Sequence, residues 1–159
     1  MINFDLIRPK LFIGSCPRSR TDVDRMAEAL GITGVLNLQT DDDFVKHGVA
    51  WDEVQVGFQS QNIALMRTPI IDFDRDDLER KVRDSGDLLD QMMAVGHTVY
   101  VHCTAGIERA PATVISYIIQ SDGVSLAEAV KEVTTQRKCS PFVDVLERVF
   151  EQTLLKTAP

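Results

Sequence analysis

Along the 159-residue chain, short apolar runs bounded by turn formers give way to longer stretches with helical periodicity. "LIRPKLFIG" holds two apolar runs split by Arg8-Pro9-Lys10, which predicts a strand, a turn and a strand. "TDVDRMAEALGI" predicts a helix with Thr21 as N-cap and Gly31 as stop. "TGVLNLQT" predicts a strand. "DDDFVKHG" predicts a short helix or loop, with acids where a helix N-terminus favours them. "AWDEVQVGFQSQN" predicts a helix weakened by Gly57, and "IALMRTPI" a further strand.

The second half is dominated by helices. "DFDRDDLERKVRDSGDLLDQMMAVG" predicts a loop and then a long helix, with an apolar stripe at Leu78, Val82, Leu88, Leu89 and Met92 interrupted by Gly86. "TVYVH" is a continuous apolar run, as in a strand covered on both faces. "APATVISYIIQS" is apolar nearly all round, so it predicts a buried helix, stopped by Gly123. "SLAEAVKEVTTQR" and "FVDVLERVFEQTLL" predict two amphipathic helices. This order predicts an α/β fold with a central mixed or mainly parallel sheet flanked by helices. The length, with no repeat or linker, suits one domain over residues 1–159.

Composition excludes several partners. A formal net charge of −7 argues against nucleic acid and anionic membranes, without forbidding a local positive pocket. No apolar run is long enough to span a bilayer, and "MINFDLIRPK" lacks the pattern of a signal peptide. Cys16, Cys103 and Cys139 form no CxxC pair, and His47, His97 and His102 have no ligand spacing with carboxylates. A cytoplasmic monomer without metal or cofactor is expected.

The stretch "TVYVHCTAGIERAP" carries the chemistry. A loop between a strand end and a helix start offers free backbone N–H groups to an anion. Thr104, Ala105 and Gly106 are small enough for consecutive amides to curl around it, with Ile107 and Glu108 completing the loop. Arg109 adds a planar cationic fork that matches two phosphate oxygens. A cysteine at the base of such a concavity, here Cys103, favours its thiolate and lies in position to attack phosphorus. A buried inert cysteine is the commoner case for a single residue. The Cys-x5-Arg spacing between a strand and a helix weighs against it here.

"HCTAGIERAP" resembles the HCx5R signature of cysteine-dependent phosphatases, in the dual-specificity branch. "LIRPKLFIGSC", "VLNLQTDDD", "IIDFDRDDLERKV" and "VYVHCTAGIERAP" look like segments of plant-type glucan phosphatase catalytic domains. The resemblance implies hydrolysis of phosphomonoesters through a cysteinyl-phosphate. A general acid is then required. "IIDFDRDD" offers Asp72, Asp74, Asp76 and Asp77; Asp74 or Asp76 can cap the following helix, and Asp76 with Glu79 has capping-box spacing. Asp72 is furthest from the helix, and the resemblance aligns it with the acid. It also implies that His102 orients the loop and that Phe73 is part of a sugar-stacking platform.

Some positions depart from that pattern. Glu108 stands where relatives carry a small residue; it is expected to point to solvent or pair with an arginine, the sharper alternative being that it lowers affinity for highly charged substrates. Ala110 replaces a Ser or Thr of the wider family, which implies a slower second step, although "RAP" occurs in the glucan branch. Aromatics that relatives carry near Lys46-His47 and at Ser140 are missing, and Trp51, Phe58 and Phe142 are possible substitutes or core residues. Cys16 or Cys139 can be a disulfide partner of Cys103 under oxidation or a plain buried thiol. Asn37 fills a strand position where some relatives have the partner cysteine. The substrate is thus a phosphoglucan or a phosphoprotein. A phospho-ligand binding module and a rhodanese-like sulfurtransferase are the other readings.

Overall fold

In the computed structural model, residues 1–157 are described, with side chains described through residue 151. The one-domain reading over 1–159 therefore ends on two residues, 158 and 159, outside the described residues. Strands β1 (Phe4–Arg8), β2 (Leu11–Gly14), β3 (Gly34–Asn37), β4 (Ala64–Arg67) and β5 (Val99–His102) form one sheet in the order β1-β2-β5-β3-β4. Only β1 runs antiparallel to its neighbour, across the turn at Pro9-Lys10; every other pair is parallel. The expected mainly parallel mixed sheet is therefore present.

Helices cover both faces. These are α1 (Arg20–Leu30), α2 (Asp41–Lys46), α3 (Trp51–Ser60), α4 (Arg75–Val95), α5 (Arg109–Asp122), α6 (Leu126–Gln136) and α7 (Val143–Thr157). Strand alternation divides the core. Leu36, Val99 and Val101 pack with Leu78, Leu89, Ile115 and Leu146 of α4, α5 and α7. Val35 and Tyr100 face the other way, with Val23 and Met26 of α1 and Phe58 of α3. β5 is central and buried at all four residues, which explains its unbroken apolar pattern. No helix among the described residues is long and apolar enough to cross a membrane.

Local signals account for most boundaries. Gly31 and Gly123 end α1 and α5 in the left-handed conformation. The N-cap of α1 is Ser19, a correction to Thr21: Ser19 is extended and accepts from the Asp22 amide, so the helix begins two residues earlier than expected. Asp74 caps α4 by accepting the Asp77 amide. The two internal glycines that weakened helix prediction mark close packing. A Cβ at Gly57 would sit 3.1 Å from Val23 of α1, and one at Gly86 2.6 Å from Ser116 Oγ of α5.

Candidate active site

Residues 103–108 link β5 to α5 at the C-terminal ends of the parallel strands, where open α/β sheets place ligands. All five carbonyls from Cys103 to Ile107 are held by outside donors. His102 Nδ1 lies 2.9 Å from the Cys103 oxygen. The Cys16 amide donates to Thr104, and the Ser140 amide to Ile107. The Arg137 guanidinium donates to Ala105 (3.1 Å) and Gly106 (2.7 Å). In a trans peptide the next N–H points opposite to each carbonyl. The N–H groups of residues 104 to 108 accordingly donate to no protein acceptor among the described residues. They form a ring of donors suited to one anion. Gly106 adopts φ +70°, and a Cβ there would lie 2.5 Å from the Gly14 carbonyl oxygen, so both conformation and space require glycine.

Arg109 is 1% exposed at the start of α5. Its Nη1 donates to Asp43 Oδ2 and to the Ile70 carbonyl, both at 2.8 Å, and Nη2 to Thr104 Oγ1 at 3.3 Å. Nε faces Asp72 Oδ1 at 3.3 Å, an ion-pair distance without hydrogen-bond alignment. Burial opposes the charge on Arg109, but Cys103, Asp43 and Asp72 raise its pKa. The structure thus brings Cys103, Arg109 and Asp72 into one cluster. The Arg109 fork lies beside Asp72, whose side chain keeps 28% exposure and so stays open to solvent.

Three supporting groups are absent from the sequence reading. Asp43 accepts the Thr40 amide in a capping box and pairs with Arg109 through the same oxygen. Burial raises its pKa, yet Arg109 and Thr40 hold it below the usual carboxylate range. Gln39 Nε2 donates to Thr104 Oγ1 at 3.0 Å. Arg137 also reaches Asp5 and Asn3, tying the phosphate loop to the β1 edge. The Thr40-x-x-Asp43 spacing was a readable cap signal; the reach from Asp43 to Arg109 was not.

His102 is fully buried, which pushes its pKa down to about 4. Its Nδ1 donates to the Cys103 carbonyl, so the ring acts on the loop as a neutral hydrogen-bond donor. Phe73, beside Asp72, is left-handed at φ +59° and 76% exposed. A non-glycine residue in that region carries strain, and here the strain turns an aromatic ring outward next to the cluster. Phe58 is core, Trp51 stacks on Phe44, and Phe142 lies under the Arg75 guanidinium.

Glu108 requires a correction. It neither points to solvent nor forms an ion pair among the described residues; it is 8% exposed, with Oε1 unpartnered. The loop turns its side chain inward, among Asp72, Arg75, Arg109 and the Phe142 backbone. Burial, reinforced by Asp72, pushes Glu108 up to about 7 against the pull of Arg109, the Phe142 amide and Arg75. Cys16 and Cys139 are free thiols whose pKa burial pushes up, Cys16 lying next to the phosphate loop.

The family model "Dual specificity phosphatase, catalytic domain" matches residues 11–149. Phosphoglucan phosphatase DSP4, amyloplastic, of Castanea sativa is 33% identical over 148 residues, covering 92% of this chain and 39% of that protein. Phosphoglucan phosphatase LSF1, chloroplastic, of Arabidopsis thaliana is 31% identical over 140 residues, covering 88% of this chain and 24% of that protein. The chain thus spans well under half the length of either relative. The crystal structure of PTPMT1 superimposes with a TM-score of 0.76 at 18% identity, covering 97% of this chain and 98% of the other.

Proposed function

Because this chain belongs to the dual specificity phosphatase family, within the cysteine-dependent phosphatase superfamily, we propose that it removes phosphate from phosphorylated glucan in two steps. In the first, the Cys103 thiolate attacks phosphorus while the amides of residues 104–108 and the Arg109 fork hold the other oxygens. The bond to the leaving oxygen breaks, and Asp72 gives that oxygen its proton. In the second, water attacks the cysteinyl-phosphate, Asp72 takes the water proton, and the S–P bond breaks. Thiolate and inorganic phosphate result. His102 positions the loop through the Cys103 carbonyl.

The observation that carries the chemistry is the ring of outward-tied carbonyls around Cys103 with Asp72 3.3 Å from Arg109. The glucan assignment rests on the exposed Phe73 ring beside the acid and on likeness to two phosphoglucan phosphatases. An aromatic face at the rim suits stacking of a sugar ring. The chain is read as a monomer in the cytoplasm; its three free thiols suit a reducing compartment.

The test is phosphate release from a solubilised phosphoglucan and a phosphotyrosine peptide, with Cys103→Ser as control. Strong preference for the glucan is expected. Preference for the peptide would make the chain a general dual-specificity phosphatase. Release from neither by folded protein would leave a phospho-ligand binding module.

A further inference from the structure

The Glu108 carboxyl lies on the Asp72 side of the phosphate loop, where its neighbours leave a negative charge undercompensated. Three acidic groups, Cys103, Asp43 and Asp72, already act on the buried Arg109 guanidinium. Its Nη atoms donate to Asp43, Ile70 and Thr104, and its Nε faces Asp72. Arg75, at the start of α4, lies over the Phe142 ring at 3.9 Å and pairs with Asp144 of α7, which Arg148 also reaches. Neither Arg75 nor Arg109 forms an ion pair with Glu108 among the described residues. The N-terminus of α5 favours a carboxylate, but Glu108 makes no side-chain cap there. Its Oε1 is buried without a donor.

A buried carboxylate oxygen without a donor is costly, whereas a carboxylic acid carries its own hydrogen. Burial, reinforced by Asp72, pushes Glu108 up to about 7, so both its forms are populated near neutral pH. The Glu108 amide belongs to the ring of donors, so the side chain springs from the wall of the anion site itself. A phosphate dianion in that ring adds negative charge to a cluster that already holds Asp43 and Asp72. The dianion opposes ionisation of Glu108, and ionised Glu108 opposes its binding by the same factor.

We propose that Glu108 makes anion binding proton-linked: a dianionic phosphomonoester enters the phosphate loop when the Glu108 carboxyl is protonated, and a carboxylate there takes a proton from solvent as the dianion binds. Glu108 is thus a specificity-determining residue. It sets which charge state of the site accepts substrate, while Asp72 keeps the role of proton donor to the leaving oxygen. This rests on the phosphatase reading above and fixes the pH range in which the site fills.

The experiment is calorimetric binding of sulfate to Cys103→Ser protein at pH 6 and pH 8, at one ionic strength, in two buffers of different ionisation enthalpy. Sulfate stays a dianion throughout, so any proton taken up belongs to the protein. Binding is expected to take up about one proton per sulfate at pH 8 and almost none at pH 6. It should be about tenfold weaker at pH 8, as the protonated fraction of Glu108 falls. Adding Glu108→Gln should abolish both effects, and adding Glu108→Gly should do so without an amide in the carboxyl's place. Adding Asp72→Asn should leave the uptake at pH 8. Sulfate that binds without proton uptake, or an uptake that survives Glu108→Gln, overturns the linkage and leaves the phosphatase reading intact. Sulfate that binds at neither pH overturns both.

Discussion

Arg109 gathers the cost and the use of this site in one side chain. Burying a guanidinium demands partners, and the Ile70 carbonyl, Thr104 and Asp43 supply them. Nε is left facing Asp72. If Asp72 is the acid, Asp72→Asn should slow esters with poor leaving groups by about a hundredfold or more. Asp74→Asn should do little, because asparagine caps α4 as well as aspartate. Equal losses in steady-state rates would reject the assignment. Glu108 gives a pH prediction of opposite kind. From an ordinary value of 4.5 it is raised to about 7 in the fold. Below pH 4.5 folded and unfolded chains both carry the proton. Between there and pH 7 only the unfolded chain ionises, so stability falls through that window and stays lower above it. Glu108→Gln removes the penalty, whose upper bound is about 3 kcal/mol. Urea unfolding should show a gain over the parent at pH 8 and almost none at pH 4.5; the same gain at both would remove ionisation as its cause.

Among the elements, the contact between α4 and α5 sets where the acid loop and the phosphate loop end, since α4 follows Asp72 and α5 starts at Arg109. At Gly86 the two helices pack closely, with no room for a side chain. Alanine there favours an isolated helix by about 1 kcal/mol. Its methyl group would meet Ser116 Oγ at 2.6 Å and Cβ at 3.0 Å. Overpacking of that kind costs about 1–3 kcal/mol and should win, so Gly86→Ala is expected to lower the urea midpoint. A raised midpoint would mean that the helices part without cost. Capping left a readable signal at this scale for α6, where Ser125 stands three positions ahead of its amide partner Glu128. It failed at α1 because Ser19 and Thr21 are both competent caps and only the chain path chooses Ser19.

For the whole molecule, site and stability are linked. The ring of amides and Arg109 draw on β5, α5, α2, the Cys16 segment and the 137–140 segment together. An anion that binds only this assembly must stabilise all of it. Inorganic phosphate at a hundred times its dissociation constant should add about 2.7 kcal/mol to unfolding. Cys103→Ser should keep most of that increment, and Arg109→Lys, which loses the planar fork, should lose much of it. An increment in thermal unfolding that is the same in Arg109→Lys would place the anion elsewhere.

The sequence by itself determined Cys103, Arg109 and the loop between them, the proposed nucleophile and phosphate cradle. All lie within seven residues, and a strand end joined to a helix start fixes local geometry with little help. It also determined the sheet's central strand and the buried helix after it, because burial on every side leaves no polar alternation. Tertiary structure decided what no local pattern carries: that Asp43, far along the chain, clamps Arg109, that Arg137 ties the loop carbonyls outward, and that Glu108 turns inward, where burial pushes its pKa up to about 7. Each of these depends on which distant groups converge. Their energies come from desolvation and charge at close range, which chain spacing does not record.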